Sequence, residues 1–367
     1  MKIAAIISSH GFGHAARTAA VISAIQKRYP NIGFEIITIV PEWFFCESLP
    51  PDSYHYYPFE SDIGVMQITP LLEDLPGTVD RLKSFLPFEN QRVDFLANYF
   101  QQCGCSAVLC DIAPVGIAAA RKANVPSVLI ENFTWDWLYA GYLDQEPRLK
   151  IFLRPLAEVF ASSDYHIQTE PVCERSMNAD ITVHPVARYP RRTRLQTREF
   201  LGLEMQQPVV LISMGGVAQD LRSLRKMTHD KEVVYLIPGG SDVERREGNL
   251  LLLPHHHRYY HPDLVQASDL VVGKLGYSTI AEAYHAEIPY LYIPRNHFRE
   301  TAPLASFVEK ELGGAPITEA VFFEGNWSDH IAAMLARPLQ PQKRINGAEQ
   351  IADFLIEKLG IRQPQSV

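Results

Sequence analysis

The sequence predicts an α/β chain of two Rossmann-like domains whose parallel sheets face each other across a cleft, and three observations lead there. At 367 residues the chain exceeds what one hydrophobic core usually organises, so two domains are expected. Short β-branched apolar runs alternate with segments of helical period, the pattern of βαβ units around a sheet buried on both faces. The alternation breaks once, from Val183 to Gln207, into Pro, Arg and Thr, and resumes with the apolar run Pro208 to Ser213. These breaks divide the chain into residues 1–190, 191–345 and an amphipathic C-terminal stretch, 346–367, expected to pack back on the first domain.

In the first domain the apolar runs predict strands at Lys2–Ser8, Phe34–Val40, Ala107–Cys110, Ser127–Ile130 and Tyr165–Gln168. Helical periodicity predicts helices at His14–Lys27, Val79–Gln102, Val115–Lys122 and Leu149–Phe160. The segment Pro50 to Pro76 has no clear period and reads as a long binding loop. In the second domain strands are expected at Pro208–Ser213, Val233–Ile237, Leu250–Leu253, Leu270–Val272 and Pro289–Ile293, with helices at Thr279–His285 and Thr301–Glu311. The final amphipathic helix is expected at Asn346–Leu359.

Composition narrows the partners. With 34 Lys and Arg against 42 Asp and Glu the formal charge is −8, and no long basic cluster exists to follow a nucleic-acid backbone. Nowhere do 18 apolar residues run together, so no spanning helix is expected, although a small apolar patch would suffice for peripheral membrane contact. Five cysteines are an odd, sparse set that suits reduced thiols and a cytoplasmic location. Cys103, Cys105 and Cys110 lack ligand-spaced histidines, and His255, His256, His257 and His261 lack a carboxylate partner. Neither group therefore reads as a metal site, and the histidine run reads as a nucleobase-side loop.

Chemistry concentrates where predicted strands hand over to helices. Ser8 to Arg17 places His10, Gly11, Phe12, Gly13 and His14 at the end of the first strand, where glycines admit a ligand to backbone N–H groups and a helix end offers partial positive charge. The plain alternative is a tight turn capped by His. Asp111 ends another strand before Pro114; it either caps the next helix or orients an imidazole that removes a proton from an acceptor hydroxyl. Glu131 to Tyr139, with Asn132 and Trp135, suits an acceptor pocket of aromatic faces and polar groups, or else an aromatic wedge between domains.

On the second domain Gly215 and Gly216 form a loop that resembles a phosphate-facing turn. The stronger signal is Ala267 to Ala283, where Gly276, Tyr277, Ser278 and Thr279 open a helix whose free N–H groups suit a diphosphate. Glu282, one turn further in, is placed to accept from ribose hydroxyls or to serve as a buried or capping carboxylate. Arg295 to Glu300 adds Arg295 for phosphate charge and Glu300 for sugar hydroxyls.

These motifs, taken in order, resemble a known family. Gly11 to Arg17, Ser106 to Pro114, Asn132 to Tyr142 and Gly273 to Tyr277 resemble the glycosyltransferase-like region of plant L-arabinokinases, and the second domain is similar to the C-terminal domain of the MurG and UDP-glycosyltransferase superfamily. The resemblance runs from about Lys2 to Ala305 and does not extend to the kinase domain of the arabinokinases. It implies a GT-B fold, a nucleotide-sugar donor, expected to be a UDP-sugar, on the second domain, and a small-molecule or lipid acceptor on the first. It implies His14 as general base with Asp111 as its partner, and Gly276, Ser278, Thr279 and Glu282 around diphosphate and ribose. It further implies inversion at the anomeric carbon with no cofactor and no metal. Thr301 departs from the pattern, standing where plant UDP-glycosyltransferases carry Gln after the acidic residue. A nucleotide-sugar sensor without catalysis and a UDP-sugar epimerase share the same expected fold.

Overall fold

A computed structural model describes residues 1–69, 71–86, 88, 90–215, 232–295, 297–325, 327–336 and 344–361. Over these residues the chain forms two parallel-sheet α/β domains, as the alternating pattern predicts. The first sheet contains β1 (Lys2–Ile7), β2 (Gly33–Ile37) and β3 (Tyr54–Tyr57) on one side. A separate hairpin, β4 (Gln67–Thr69) and β5 (Leu72–Glu73), follows them in the chain. The sheet then continues with β6 (Cys105–Asp111), β7 (Ser127–Glu131), β8 (Tyr165–Thr169) and β9 (Ile181–Val183). Its order is β3-β2-β1-β6-β7-β8-β9.

The second sheet comprises β10 (Val209–Ser213), β11 (Val234–Pro238), β12 (Arg245–Glu247), β13 (Leu250–Leu253), β14 (Leu270–Lys274), β15 (Tyr290–Ile293) and β16 (Ala315–Pro316). It is ordered β12-β13-β11-β10-β14-β15-β16 and is parallel except for the edge pair β12–β13. Each sheet therefore reverses direction beside its first strand, between β1 and β6 and between β10 and β14. In open α/β sheets the crevice at the carboxyl ends of such strands receives ligands.

Alternating side chains explain why these runs are central strands. Ala4 and Ile6 enter one core while Ile3, Ala5 and Ile7 enter the opposite one, and on β10 Val209 and Leu211 separate in the same way from Val210 and Ile212. Each fully buried aliphatic side chain contributes about 1.5–3 kcal/mol. A run exposed on neither face has no alternating polar residues to betray it, and so it reads as continuous apolar sequence. Gly273 is fixed by close packing, because a Cβ there would collide with the Ser213 backbone; only Gly lets β14 lie this close to β10.

Three expectations need adjustment. Val79–Gln102 is not one helix but two, Leu75–Phe85 and Asn90–Cys103. Leu86 between them is extended (φ −118°, ψ 139°), the conformation a following proline favours. The segment Pro50–Pro76 is also less irregular than its composition suggests, since Tyr54–Tyr57 pairs in parallel with β2 and the β4–β5 hairpin follows. The third adjustment is that β9 occupies Ile181–Val183, at the residue where the pattern was expected to break.

The chain crosses between the lobes and returns. Helix Gly347–Lys358 packs on helix Gly13–Arg28 of the first domain, burying Ala348, Ile351, Ala352 and Leu355 in the same core as Ile3 and Ile22. Asn346 caps it by accepting from the Ala348 N–H at 3.0 Å. Its side chain also accepts from the Ala187 N–H at 3.3 Å and donates to the Ala187 carbonyl at 2.7 Å. Among the described residues no helix is long and apolar enough to cross a membrane.

Candidate functional site

The carboxyl ends of β1, β7, β10 and β14 meet at a cleft of about 390 Å³ lined by both domains. That volume lies within the range of small-molecule sites. Two helices present their amino ends to it: Gly13–Arg28, following β1, and Tyr277–Ala286, following β14. Neither has a side-chain cap or an acidic residue in its first turn, whereas Thr193, Thr318 and Asn346 cap helices elsewhere. The N–H groups at these two ends therefore remain available to a ligand. The ends face each other, for a Cβ on Gly13 would stand 3.9 Å from Ser278 Oγ.

His14, only 7 % exposed, occupies the first turn of its helix, and Asp111, at 1 %, ends β6. They meet at 2.8 Å between Nδ1 and Oδ1. Asp111 also accepts from Arg17 Nε (2.9 Å) and Nη2 (2.5 Å) and from the Thr18 hydroxyl (3.0 Å). Burial opposes its charge, but the Arg17 guanidinium and His14 outweigh burial and hold its pKa below the usual carboxylate value. An ionised carboxylate can only accept, so His14 Nδ1 carries the proton of this contact.

Arg17, to which the sequence gives no separate role, ties this network together. It lies three residues after His14 on the same helical face, the one signal that would have found it. Its Nη1 donates to Asn132 Oδ1 at 2.8 Å and to Thr169 at 3.2 Å, and its guanidinium lies 4.8 Å from the Tyr277 ring centroid. Asn132 in turn donates to Glu300 Oε1 at 2.9 Å. A buried polar chain thus runs from Asp111 through Arg17 and Asn132 into the second domain.

His10 lines the cleft beside this network. Its Nδ1 accepts the Val65 N–H at 3.4 Å, and its ring edge meets Trp135 at 5.4 Å. Burial, followed by the nearby charges of His14, Lys274 and Arg295, drives its pKa well below normal. Asp62, also unforeseen, accepts from Trp135 Nε1 at 2.8 Å, and burial pushes its pKa up to about 6.

On the second domain Gly215, Gly276, Tyr277, Ser278, Thr279, Arg295 and Glu300 all line the cleft, as do Gly11, Phe12, Gly13 and Asn132 of the first domain. Gly215 adopts φ +72°, and the space a Cβ would need is filled by the Lys274 side chain. Lys274 is a second residue to which the sequence gives no separate role. Burial, with Arg295 adding repulsion, pushes its pKa down to about 8, and no carboxylate among the described residues pairs with it. Gly216 lies outside the described residues.

Two predicted residues stand back from the cleft wall. Trp135, 1 % exposed, backs His10 and His14 instead of lining the opening. Glu282 is already engaged: it accepts from Arg188 at 3.0 and 3.1 Å and pairs with His261 Nδ1 at 2.6 Å. Burial opposes its charge, but Arg188 and His261 prevail and lower its pKa. His261 and Arg188 line the cleft, so Glu282 meets the cleft only through those two side chains. The other histidines diverge, His255 toward Phe12 at 5.9 Å and His256 stacking on Trp43 at 4.4 Å. Among the described residues no group of three or more His, Cys, Asp or Glu is placed to hold a metal ion.

Comparison with known proteins agrees with this architecture. No protein-family model matches the chain. It is 25 % identical over 360 residues to an L-arabinokinase of Arabidopsis thaliana, an alignment covering 96 % of this chain and 34 % of that protein. The chain thus spans about a third of that relative. It is 26 % identical over 355 residues to a UDP-N-acetylglucosamine--N-acetylmuramyl-(pentapeptide) pyrophosphoryl-undecaprenol N-acetylglucosamine transferase of Bacillus subtilis, covering 88 % of this chain and 90 % of that one. Among solved structures, the calicheamicin glycosyltransferase CalG4 superposes with a TM-score of 0.63 at 13 % identity, covering 99 % of both chains. The chain has the GT-B fold, and its resemblance to the MurG-type transferases and the arabinokinase region holds along nearly its whole length.

Proposed function

We propose that the chain is a glycosyltransferase that moves a sugar from a UDP-sugar to a hydroxyl acceptor, small or lipid, with inversion and without a metal. The observation that carries this reading is the pair of side-chain-free helix ends facing each other across one cleft, one bearing His14 and the other opening at Tyr277, Ser278 and Thr279. The diphosphate sits on the second end, against Gly215, with the Lys274 ammonium meeting part of its charge. The acceptor hydroxyl lies at His14 Nε2, among Phe12, Phe133 and Asn132.

In the reaction the acceptor oxygen forms a bond to the anomeric carbon as the bond from that carbon to the diphosphate breaks. His14 takes the hydroxyl proton and the electron pair leaves with UDP. Direct displacement from the opposite face inverts the centre. Asp111, hydrogen-bonded to Nδ1 at 2.8 Å, orients the ring and stabilises the imidazolium that forms when His14 takes the proton. Substrate support comes from the Bacillus relative, whose name specifies a UDP-linked donor.

The test is calorimetric titration with UDP, followed by release of UDP from UDP-sugars in the presence of candidate acceptors. Binding of UDP with acceptor-dependent turnover is the expected result. Failure to bind UDP would sink the donor assignment, and binding without turnover across acceptors would sink the catalytic one.

A further inference from the structure

Beside the assigned groups, a set of buried polar atoms contributed by both domains converges on Arg295. Among the described residues, Nε and Nη1 of Arg295, Oε1 of Glu73 and Nε2 of Gln67 are shielded from solvent and have no hydrogen-bond partner. Arg295 is 7 % exposed and lines the cleft, as does Gln67. Gln67 and Glu73 are partners across the β4–β5 hairpin, which places them on one face of it. Arg295 Nη1 stands 3.6 Å from Glu73 Oε1, close enough for charge to balance and too far for a hydrogen bond.

The chemistry of these atoms defines what would satisfy them. Arg295 and the Gln67 amide nitrogen only donate, whereas the Glu73 carboxylate only accepts. A sugar hydroxyl does both, so one hydroxyl set between Glu73 and Arg295 serves the two together. A carboxylate ligand would leave Glu73 unmet and place its charge against Glu73 and Glu300. An ammonium would face Arg295 and Lys274. Because Glu73 and Glu300 together offset Arg295, and Lys274 serves the diphosphate, the subsite has no positive charge left to offer a sugar carboxylate.

We propose that Arg295, Glu73 and Gln67 form the donor-sugar subsite, and that it selects an uncharged sugar with at least two free ring hydroxyls. The inference rests on the donor reading above. It assigns the hairpin of the acceptor domain a part in choosing the sugar held by the opposite domain.

The experiment compares affinities of the full chain for UDP, UDP-glucose, UDP-galactose and UDP-glucuronic acid by calorimetry. At least one neutral UDP-sugar is expected to bind about tenfold tighter than UDP, the scale of one or two charge-assisted hydrogen bonds, and UDP-glucuronic acid no tighter than UDP. Glu73→Gln is expected to keep the UDP affinity within about twofold and to erase the gain from the sugar. Should that variant fail to fold, Gln67→Leu provides the same comparison with a smaller loss. The proposal is overturned if the uronate binds tighter than UDP, if no neutral sugar improves on UDP, or if the variant weakens UDP and UDP-sugar equally. Absence of UDP binding would instead remove the donor reading, and this subsite with it.

Discussion

The molecule builds the same device twice, once in each domain, and uses it differently. Asp111 holds His14 at Nδ1 and is balanced by Arg17; Glu282 holds His261 at Nδ1 and is balanced by Arg188. Both imidazoles line the cleft with Nε2 unassigned. In the first assembly every guanidinium nitrogen of Arg17 has a partner, and Asp111 takes a fourth donor from Thr18. In the second, Arg188 Nη1 has none among the described residues although Arg188 lines the cleft, and the His261 side chain is 25 % exposed. A closed network holds a group still through a reaction, whereas an open one retains a donor for a ligand. On the function proposed above, the closed assembly suits proton transfer at His14 and the open one suits nucleoside binding at His261 and Arg188.

The strongest way to break this contrast is to truncate each imidazole. His14→Ala is expected to lower kcat by about 10³-fold, within the span of general-base losses, while UDP affinity stays nearly constant. Next comes stability. Arg17→Leu leaves Asp111 buried without its main counter-charge and should cost about 3–5 kcal/mol in urea unfolding. The Arg17→Leu/Asp111→Leu double variant should recover much of that loss, and equal damage from the single and double variants would show that the ion pair is not the cause.

A smaller effect follows for His261→Ala, which should raise the donor KM about tenfold, the scale of one charged hydrogen bond, with kcat little changed. A fall in kcat matching that of His14→Ala would erase the distinction between the two assemblies. The smallest effect is the pH response of Lys274. Burial favours the neutral amine, so the charge that meets the diphosphate is lost as pH rises through about 8, and UDP affinity should fall a few-fold there. Lys274→Gln should bind UDP more weakly and without that slope. Without ligand the sign is opposite: between about 8 and the ordinary 10.5 only the unfolded chain keeps this proton, so the contribution of Lys274 to stability rises with pH across that window.

Sequence reading saw the strands that build the cleft because β1, β7, β10 and β14 are apolar on both faces, a signal that survives without tertiary information. It lost β3 because the stretch around Tyr54–Tyr57 is aromatic and proline-flanked, and it fused two helices because Val79 to Gln102 keeps a helical period through Pro87. Asp111 was visible as a polar residue ending an apolar strand, and His14 as one opening the helix after such a strand. Their contact was not, because it spans 97 residues of chain and depends on the parallel register between β1 and β6, which sets Ile7 opposite Asp111. Glu282 was placed correctly one turn into its helix, yet its engagement by Arg188 and His261 depends on a segment leaving the other domain. Lys274 was visible only as one letter in a glycine-rich turn, and its meaning came from the space that Gly215 leaves open.

The clasp between Asn346 and Ala187 has a mechanical consequence. The outgoing and returning strands of chain pass between the lobes side by side, and one amide side chain buckles them together through both of its polar atoms. Gly347 reinforces the buckle, since a Cβ there would strike the His184 carbonyl. The Gly347 N–H also donates to the Pro185 carbonyl at 3.1 Å and the His184 N–H to Gln350 at 2.9 Å, so the two crossings are laced into one double strap rather than two independent threads.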